Sequence, residues 1–220
     1  MSARHNAKVL WWSDVPTIDL LKKSLDQGLV SITSTDTVLG FLACINEKSH
    51  KIIDSIKGSK PDKPYLILID SPRRLSAFVD VQSLSEQAQC IITKCWPGPL
   101  TIIFKAKKNL HPCMQSKEGT VALRCPRHEG LLGILAHFDG LFSTSANKSG
   151  LPVAKTYQEL DHDLLHDVDY VVLDRDLAPN DVPSTIIDVT SSEVKVIRPG
   201  AYPVEKLERL CGGCVNVSKS

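Results

Sequence analysis

Apolar residues along this chain follow two rhythms. Spacings of three and four put Ile18, Leu21 and Leu25, with Leu20 beside them, on one helical face. That helix starts at Asp14-Val15-Pro16, a capping acid followed by Pro in the first turn, and stops at Gly28. The same rhythm in Ile52, Ile53 and Ile56 predicts a helix over 47–57 closed by Gly58. Further helices are predicted from Ser71-Pro72, over 83–95, 128–137 and 156–166, and after Pro203 as far as Gly212-Gly213. Short apolar runs bounded by Gly, Pro or small polar residues read as strands at 29–33, 65–69, 100–104, 120–124 and 170–173. A closing pair follows at 184–189 and 194–198, joined by 190–193. Gly140-Leu141-Phe142 reads as the end of a buried strand. Residues 9–12 fit a first short strand or loose packing, and periodicity leaves 38–45 open between strand and buried helix.

Strands alternate with helices, yet the closing pair leaves no room for a crossover helix. The expected fold is therefore one α/β domain with a twisted mixed sheet, parallel and antiparallel, and flanking helices. It divides into an N-terminal extension at 1–13, the domain at 14–202, and a C-terminal helix and tail at 203–220. No internal repeat or linker interrupts it.

Composition narrows the chemistry. A formal net charge of +1 gives no global field toward nucleic acid or membranes, so any anion must be drawn by a local cluster of Lys and Arg. No window approaches the roughly 20 apolar residues of a membrane span, and the apolar patch near the start is too brief for a signal-peptide core. Seven cysteines, an odd number, argue for free thiols in a reducing compartment. The expectation is a cytoplasmic protein without membrane contact.

Five segments at predicted strand or helix ends carry anion-compatible groups. They are 35–37; 57–63, with three lysines; Arg124 with Arg127; 143–147; and Pro183-Ser184-Thr185 with Arg198 alongside. In α/β sheets, ligands gather where such loops converge. Ser143, Thr144, Ser145 and Asn147 precede a Ser149-Gly150 turn, and their hydroxyls and backbone N–H groups could all face one phosphate, carboxylate or nucleotide. Spacing alone reads this stretch equally as a Ser-rich turn with a helix cap.

Other signals weigh less. His162 and His166 share a helical face at zinc-site spacing, but no third ligand accompanies them, and a solvated face is the better reading. Cys211-Gly212-Gly213-Cys214 has redox spacing without a thioredoxin-like strand before it and reads as a frayed tail. Trp11-Trp12 reads as packing of the first element rather than a partner patch, and Lys105-Ala106-Lys107-Lys108 as a solvated strand end.

Several motifs together resemble the YrdC/Sua5 family of threonylcarbamoyl-adenylate synthases. TVALR (120–124), STSANKSG (143–150), PSTIID (183–188) and IRPG (197–200) fall in that family's order. Trp96-Pro97-Gly98-Pro99-Leu100-Thr101 matches its W-P-G-P-L/V-T turn, and 34–40 is similar to its P-T-D/E-T-x-Y-G box with Ser34 for Pro and Leu39 for Tyr. The family's K-x-R carries Ser59 in place of Arg, with Lys60 or Lys63 to supply the charge, and Val153 stands where some relatives have Ser. The likeness covers about residues 14 to 202, in the short single-domain form.

The resemblance implies a large concave cationic cavity and a nucleotidyltransferase joining L-threonine, bicarbonate and ATP into threonylcarbamoyl-AMP with release of pyrophosphate. That is the first step toward the t6A modification of tRNA. It further implies that Thr35, Arg124, Ser143 and Ser184 hold threonine, and that Lys57, Lys60, Thr120, Ser145, Asn147 and Arg198 hold ATP, with Asn147 alternatively bracing the loop. Mg²⁺ is expected through ATP's oxygens rather than a protein cage, and no acid–base residue is called for. A tRNA contact and a downstream threonylcarbamoyl transferase complex are the implied partners. The rival reading is a tRNA- or rRNA-binding module without chemistry, against which stand the near-zero net charge and only 5% aromatic residues for base stacking.

Overall fold

A computed structural model of the chain describes residues 7–58, 64–175, 182–212 and 215–217. Ser59, Lys60, Lys63 and Cys214 lie outside the described residues, as does most of the loop expected at 174–183.

Among the described residues, one continuous sheet contains eleven strands: β1 (Lys8–Trp11), β2 (Ser31–Thr33), β3 (Gly40–Cys44), β4 (Leu66–Leu68), β5 (Leu100–Lys105), β6 (Thr120–Arg124), β7 (Leu141–Ser145), β8 (Tyr170–Leu173), β9 (Thr185–Asp188), β10 (Val194–Arg198) and β11 (Val215–Val217). Their spatial order is β1-β8-β2-β3-β7-β4-β6-β5-β9-β10-β11. The sheet is mixed: β2, β3, β7 and β4 run antiparallel to their neighbours in turn, whereas β4 pairs parallel with β6 and β5 with β9. Strands distant in sequence thereby lie side by side at its centre.

Among the described residues, seven helices flank the sheet: α1 (Thr17–Asp26), α2 (Glu47–Lys57), α3 (Leu75–Phe78), α4 (Glu86–Cys95), α5 (Glu129–Leu135), α6 (His162–Leu165) and α7 (Val204–Leu210). Gly58 closes α2 in the left-handed region, at φ +59°, where a side chain would be strained. Because side chains alternate along a strand, each strand offers one set to each face. Phe41, Ile67, Ile102, Phe104, Val121, Leu123, Phe142 and Ile187 form one set, and it packs against α2, α3, α4 and α7 through Ile53, Leu75, Ile91 and Leu207. On the opposite face, Leu42, Leu141, Leu68 and Val172 are covered by Leu21 and Leu25 of α1 and by Leu131, Ile134 and Leu135 of α5. Beyond Leu68 that second face meets no described helix, and its side chains border open space.

Three local expectations are corrected. The single helix expected over 156–166 is broken into a 3₁₀ turn, Tyr157–Glu159, and the short α6, which Asp161 caps by accepting from the Asp163 amide. His166 therefore lies at the end of α6 rather than on a continuous face with His162. Asp14 does not cap α1 with its side chain; the carboxylate pairs with Arg175 at 2.9 Å. The tail after Gly212 is not wholly frayed, because β11 pairs parallel with β10. Residues 8–11, expected as a strand or as loose packing, form β1 and pair parallel with β8. Residues 38–45, left open by periodicity, contribute β3.

Candidate functional site

The uncovered half of the second face is the floor of a cavity of about 780 Å³. Every second residue of the central strands points into it: Leu66 and Leu68, Thr101 and Ile103, Thr120, Ala122 and Arg124, Ser143 and Ser145, then Ser184 and Ile186. Small and hydroxyl-bearing residues on this face leave the volume that the opposite face fills with Phe and Ile. The loops after β2 and β7 and the end of α2 form the walls. Thr35, Lys57, Thr120, Arg124, Ser143, Ser145, Asn147, Ser184 and Arg198 all line this one cavity, which brings together every site residue named from the sequence except Lys60.

Arg124 is 4% exposed at the end of β6. Its Nε donates to the Gly98 carbonyl at 3.3 Å, Nη1 donates to Thr37 Oγ1 at 2.9 Å, and Nη2 pairs with Asp36. The other Asp36 oxygen accepts from the Arg127 amide at 2.9 Å. Three of the five guanidinium N–H groups are thus committed and fix the plane, and two remain to meet a ligand. Thr35 shapes the same loop, accepting from the Thr37 amide at 2.9 Å and donating to the Val38 carbonyl at 2.8 Å.

Lys57, buried at the end of α2, reaches the loop after β7. Its Nζ donates to Ser145 O at 2.6 Å, Asn147 O at 2.7 Å and Asn147 Oδ1 at 3.2 Å, while Ser145 Oγ also donates to Asn147 Oδ1 at 2.6 Å. The Ser149 amide in turn donates to Lys57 O at 2.9 Å. Lys57 and Asn147 therefore lock the Ser-rich loop to the helix. On the other side, Ser184 Oγ and Thr101 Oγ1 share a hydrogen bond of 2.9 Å, and Arg198 Nη2 donates to Ser184 O at 2.8 Å. Arg198 lies at the water-accessible mouth. Partial burial and then the charge of Arg124 pull its guanidinium below the ordinary arginine pKa. Thr120 shares a 2.8 Å hydrogen bond with Ser116.

Asp36, Thr37, Thr101 and Tyr65 also belong to the site or its support, and the sequence reading assigned none of them a role. Asp36 and Thr37 stood in a segment singled out for its polarity, but their partner Arg124 is distant in sequence. Thr101 stood at the end of the W-P-G-P-L/V-T turn without a role of its own, and Tyr65 carried no motif signal. The thiol of Cys125, next to Arg124, is pushed up to about 12 by burial, with Asp70 and Asp36 adding to the effect, so it is not a nucleophile here. Among the described residues no three His, Cys, Asp or Glu side chains gather as metal ligands.

The Sua5/YciO/YrdC family model, described as "Telomere recombination", matches residues 23–200. This chain belongs to that family. A Methanocaldococcus jannaschii protein named "Putative threonylcarbamoyl-AMP synthase" is 34% identical over 193 residues, 87% of this chain and 89% of its own length. The threonylcarbamoyl-AMP synthase of Pyrococcus abyssi is 29% identical over 188 residues, and the match spans 84% of this chain but only 54% of that protein. The solved structure of P. abyssi Sua5 complexed with L-threonine superposes with a TM-score of 0.86 at 26% identity, covering 97% of this chain and 63% of that one. Escherichia coli YciO, at 19% identity and a TM-score of 0.80, shares the fold. No helix among the described residues is long and apolar enough to cross a membrane.

Proposed function

We propose that this member of the Sua5/YciO/YrdC family is a threonylcarbamoyl-AMP synthase, a nucleotidyltransferase acting on L-threonine, bicarbonate and ATP. One observation carries the reading. A buried arginine with two uncommitted N–H groups faces a cavity whose described lining has Lys57 and Arg198 but no carboxylate. Such a cavity is cationic and suits a ligand with more than one negative group.

The proposed roles follow from position. Arg124 grips the threonine carboxylate, and Thr35, Ser143 and Ser184 offer hydroxyls around its amine and side chain. Arg198, Thr120 and Ser145 face the nucleotide, and Lys60 belongs to this set by sequence. Lys57 has its three ammonium hydrogens on loop acceptors, so it acts on a bound anion through its field and by holding Ser145 in place.

The threonine amine attacks the carbon of bicarbonate, giving N-carboxythreonine, with the displaced oxygen leaving as water. A carbamate oxygen then attacks the α-phosphorus of ATP, the bond to the bridging oxygen breaks, and pyrophosphate leaves. Both partners are anions, so what the protein supplies is charge neutralisation, alignment and exclusion of water. The described lining offers no carboxylate to hold Mg²⁺, so the ion would be held by ATP's own oxygens and would neutralise phosphate charge there. The product is a mixed anhydride suited to acylating tRNA in a downstream transferase complex, and tRNA contact belongs to this proposal. Detection by mass spectrometry of threonylcarbamoyl-AMP formed from the three substrates tests it. RNA binding without that product would favour the RNA-binding reading.

A further inference from the structure

The segment carrying Asp36 and Thr37 holds Arg124 in place, yet it is thinly supported. Thr35, Thr37 and Val38 line both the main cavity and a second hollow of about 240 Å³ behind it, so the segment is a partition between two open spaces. A strand edge backed by packed side chains would resist displacement through close contacts; a partition must be held by directional bonds.

Those bonds converge on Ser34. Its amide donates to Val172 O at 2.8 Å, and its Oγ donates to Asp174 Oδ2 at 2.6 Å while accepting from Trp12 Nε1 at 3.1 Å. The same Asp174 oxygen accepts from His128 Nε2 at 2.9 Å. His128 is 6% exposed, and its Nδ1 accepts from the Leu131 amide at 3.1 Å, which caps α5 and leaves the proton on Nε2. Trp12 is seated against α5 so closely that a Cβ on Gly130 would fall 2.4 Å from its ring. The ends of β1, β2 and β8 and the start of α5 therefore meet in one knot, directly behind the partition.

We infer that Ser34, anchored by Asp174, His128 and Trp12, is a positioning residue that sets Arg124 for the carboxylate of an amino-acid substrate through Asp36 and Thr37. The inference rests on the proposed function for its substrate readout. Ser34, Asp174, His128 and Trp12 do not line the main cavity, so they act through the partition.

The test is calorimetric binding of L-threonine and, separately, of ATP to the full chain and its Ser34→Ala variant, together with hydrogen exchange at Arg124 Nε by NMR. Ser34→Ala is expected to weaken threonine at least about tenfold and to leave ATP within about twofold, a split that general loosening would not give. Ser34→Thr, which keeps the hydroxyl, restores threonine binding, and in an Asp36→Asn background Ser34→Ala adds less than about twofold, because both act on Arg124. Arg124 Nε–H exchange, which needs no ligand, accelerates in Ser34→Ala. Wild-type threonine affinity in Ser34→Ala, equal weakening of both ligands, a full extra effect in the Asp36→Asn background, or unchanged exchange at Arg124 would each overturn the inference. Failure of the wild-type chain to bind threonine would instead sink the functional reading, and the exchange measurement would still decide the positioning role.

Discussion

Arg198 and Arg124 face the same cavity, and the charge of Arg124 adds to partial burial in holding the Arg198 guanidinium below its ordinary pKa. Among the described residues no carboxylate pairs with Arg198, which donates to the Ser184 carbonyl. Asp36 pairs with Arg124 from behind, so the repulsion that Arg198 feels is partial, and an entering anion relieves it. Because Arg198 is open to water, Arg198→Gln is expected to leave the melting temperature of the ligand-free protein nearly unchanged. ATP affinity should fall about 10- to 100-fold, the loss of one charge-assisted contact worth roughly 1.5–3 kcal/mol. Melting curves with and without ATP check both outcomes, and the stabilisation that ATP gives the wild type should shrink accordingly.

Arg124 is held from three directions by Gly98, Thr37 and Asp36. Lysine keeps the charge but cannot present a fixed plane of donors. Arg124→Lys should therefore lower kcat/KM for threonine by about 10²–10³, roughly 3–4 kcal/mol of lost stabilisation, in a folded protein. Steady-state kinetics beside a far-ultraviolet spectrum of the variant would show it, and a wild-type rate would remove Arg124 from the site.

Lys57 differs, because its ammonium supports structure. Lys57→Met leaves Ser145 O, Asn147 O and Asn147 Oδ1 without that donor. Asn147 Oδ1 still accepts from Ser145 Oγ and Ser145 O from the Asn147 amide, so it is Asn147 O that loses its donor, at an expected cost of about 1–3 kcal/mol in urea unfolding. Amide exchange at Ser149, whose N–H donates to Lys57 O, should quicken in the same variant. A loss of activity with unchanged stability would return Lys57 to direct ATP contact.

Alkaline pH offers a test of burial. The Cys125 thiol is 1% exposed, and its pKa is raised from 9.0 to about 12 in the folded chain. A raised pKa favours the protonated folded form. The stability it contributes is fully present below pH 9 and is lost as pH climbs from 9 toward 12. Urea unfolding should be level up to about pH 9 and then weaken by up to roughly 1.4 kcal/mol per pH unit for this thiol. Cys125→Ala should reduce that slope, and an identical slope would assign the alkaline loss to other groups.

The sequence showed much of this where chemistry is local. Gly58 closes the apolar face of Ile52, Ile53 and Ile56, and the helix is where that pattern puts it. The strand expected at 120–124 is β6, with Arg124 at its end. What stayed hidden depends on contacts between distant segments. Nothing near Asp36 in sequence announces Arg124, and nothing near Ser34 announces Asp174. The broken helix at 156–166 was concealed because Asp161 competes for the backbone as a cap, a choice that apolar spacing does not register. β11 was missed because a three-residue strand is stabilised by the edge of β10, which the tail alone does not reveal.

The central claim is that one cavity holds an amino acid beside a nucleotide and joins them through bicarbonate. Pyrophosphate release, measured with ATP, L-threonine and bicarbonate and with each omitted in turn, tests it most directly. The expected result is release that requires all three and falls to background when any one is missing. Release from ATP that ignores threonine or bicarbonate, or no release from a folded protein supplied with all three and Mg²⁺, would contradict it.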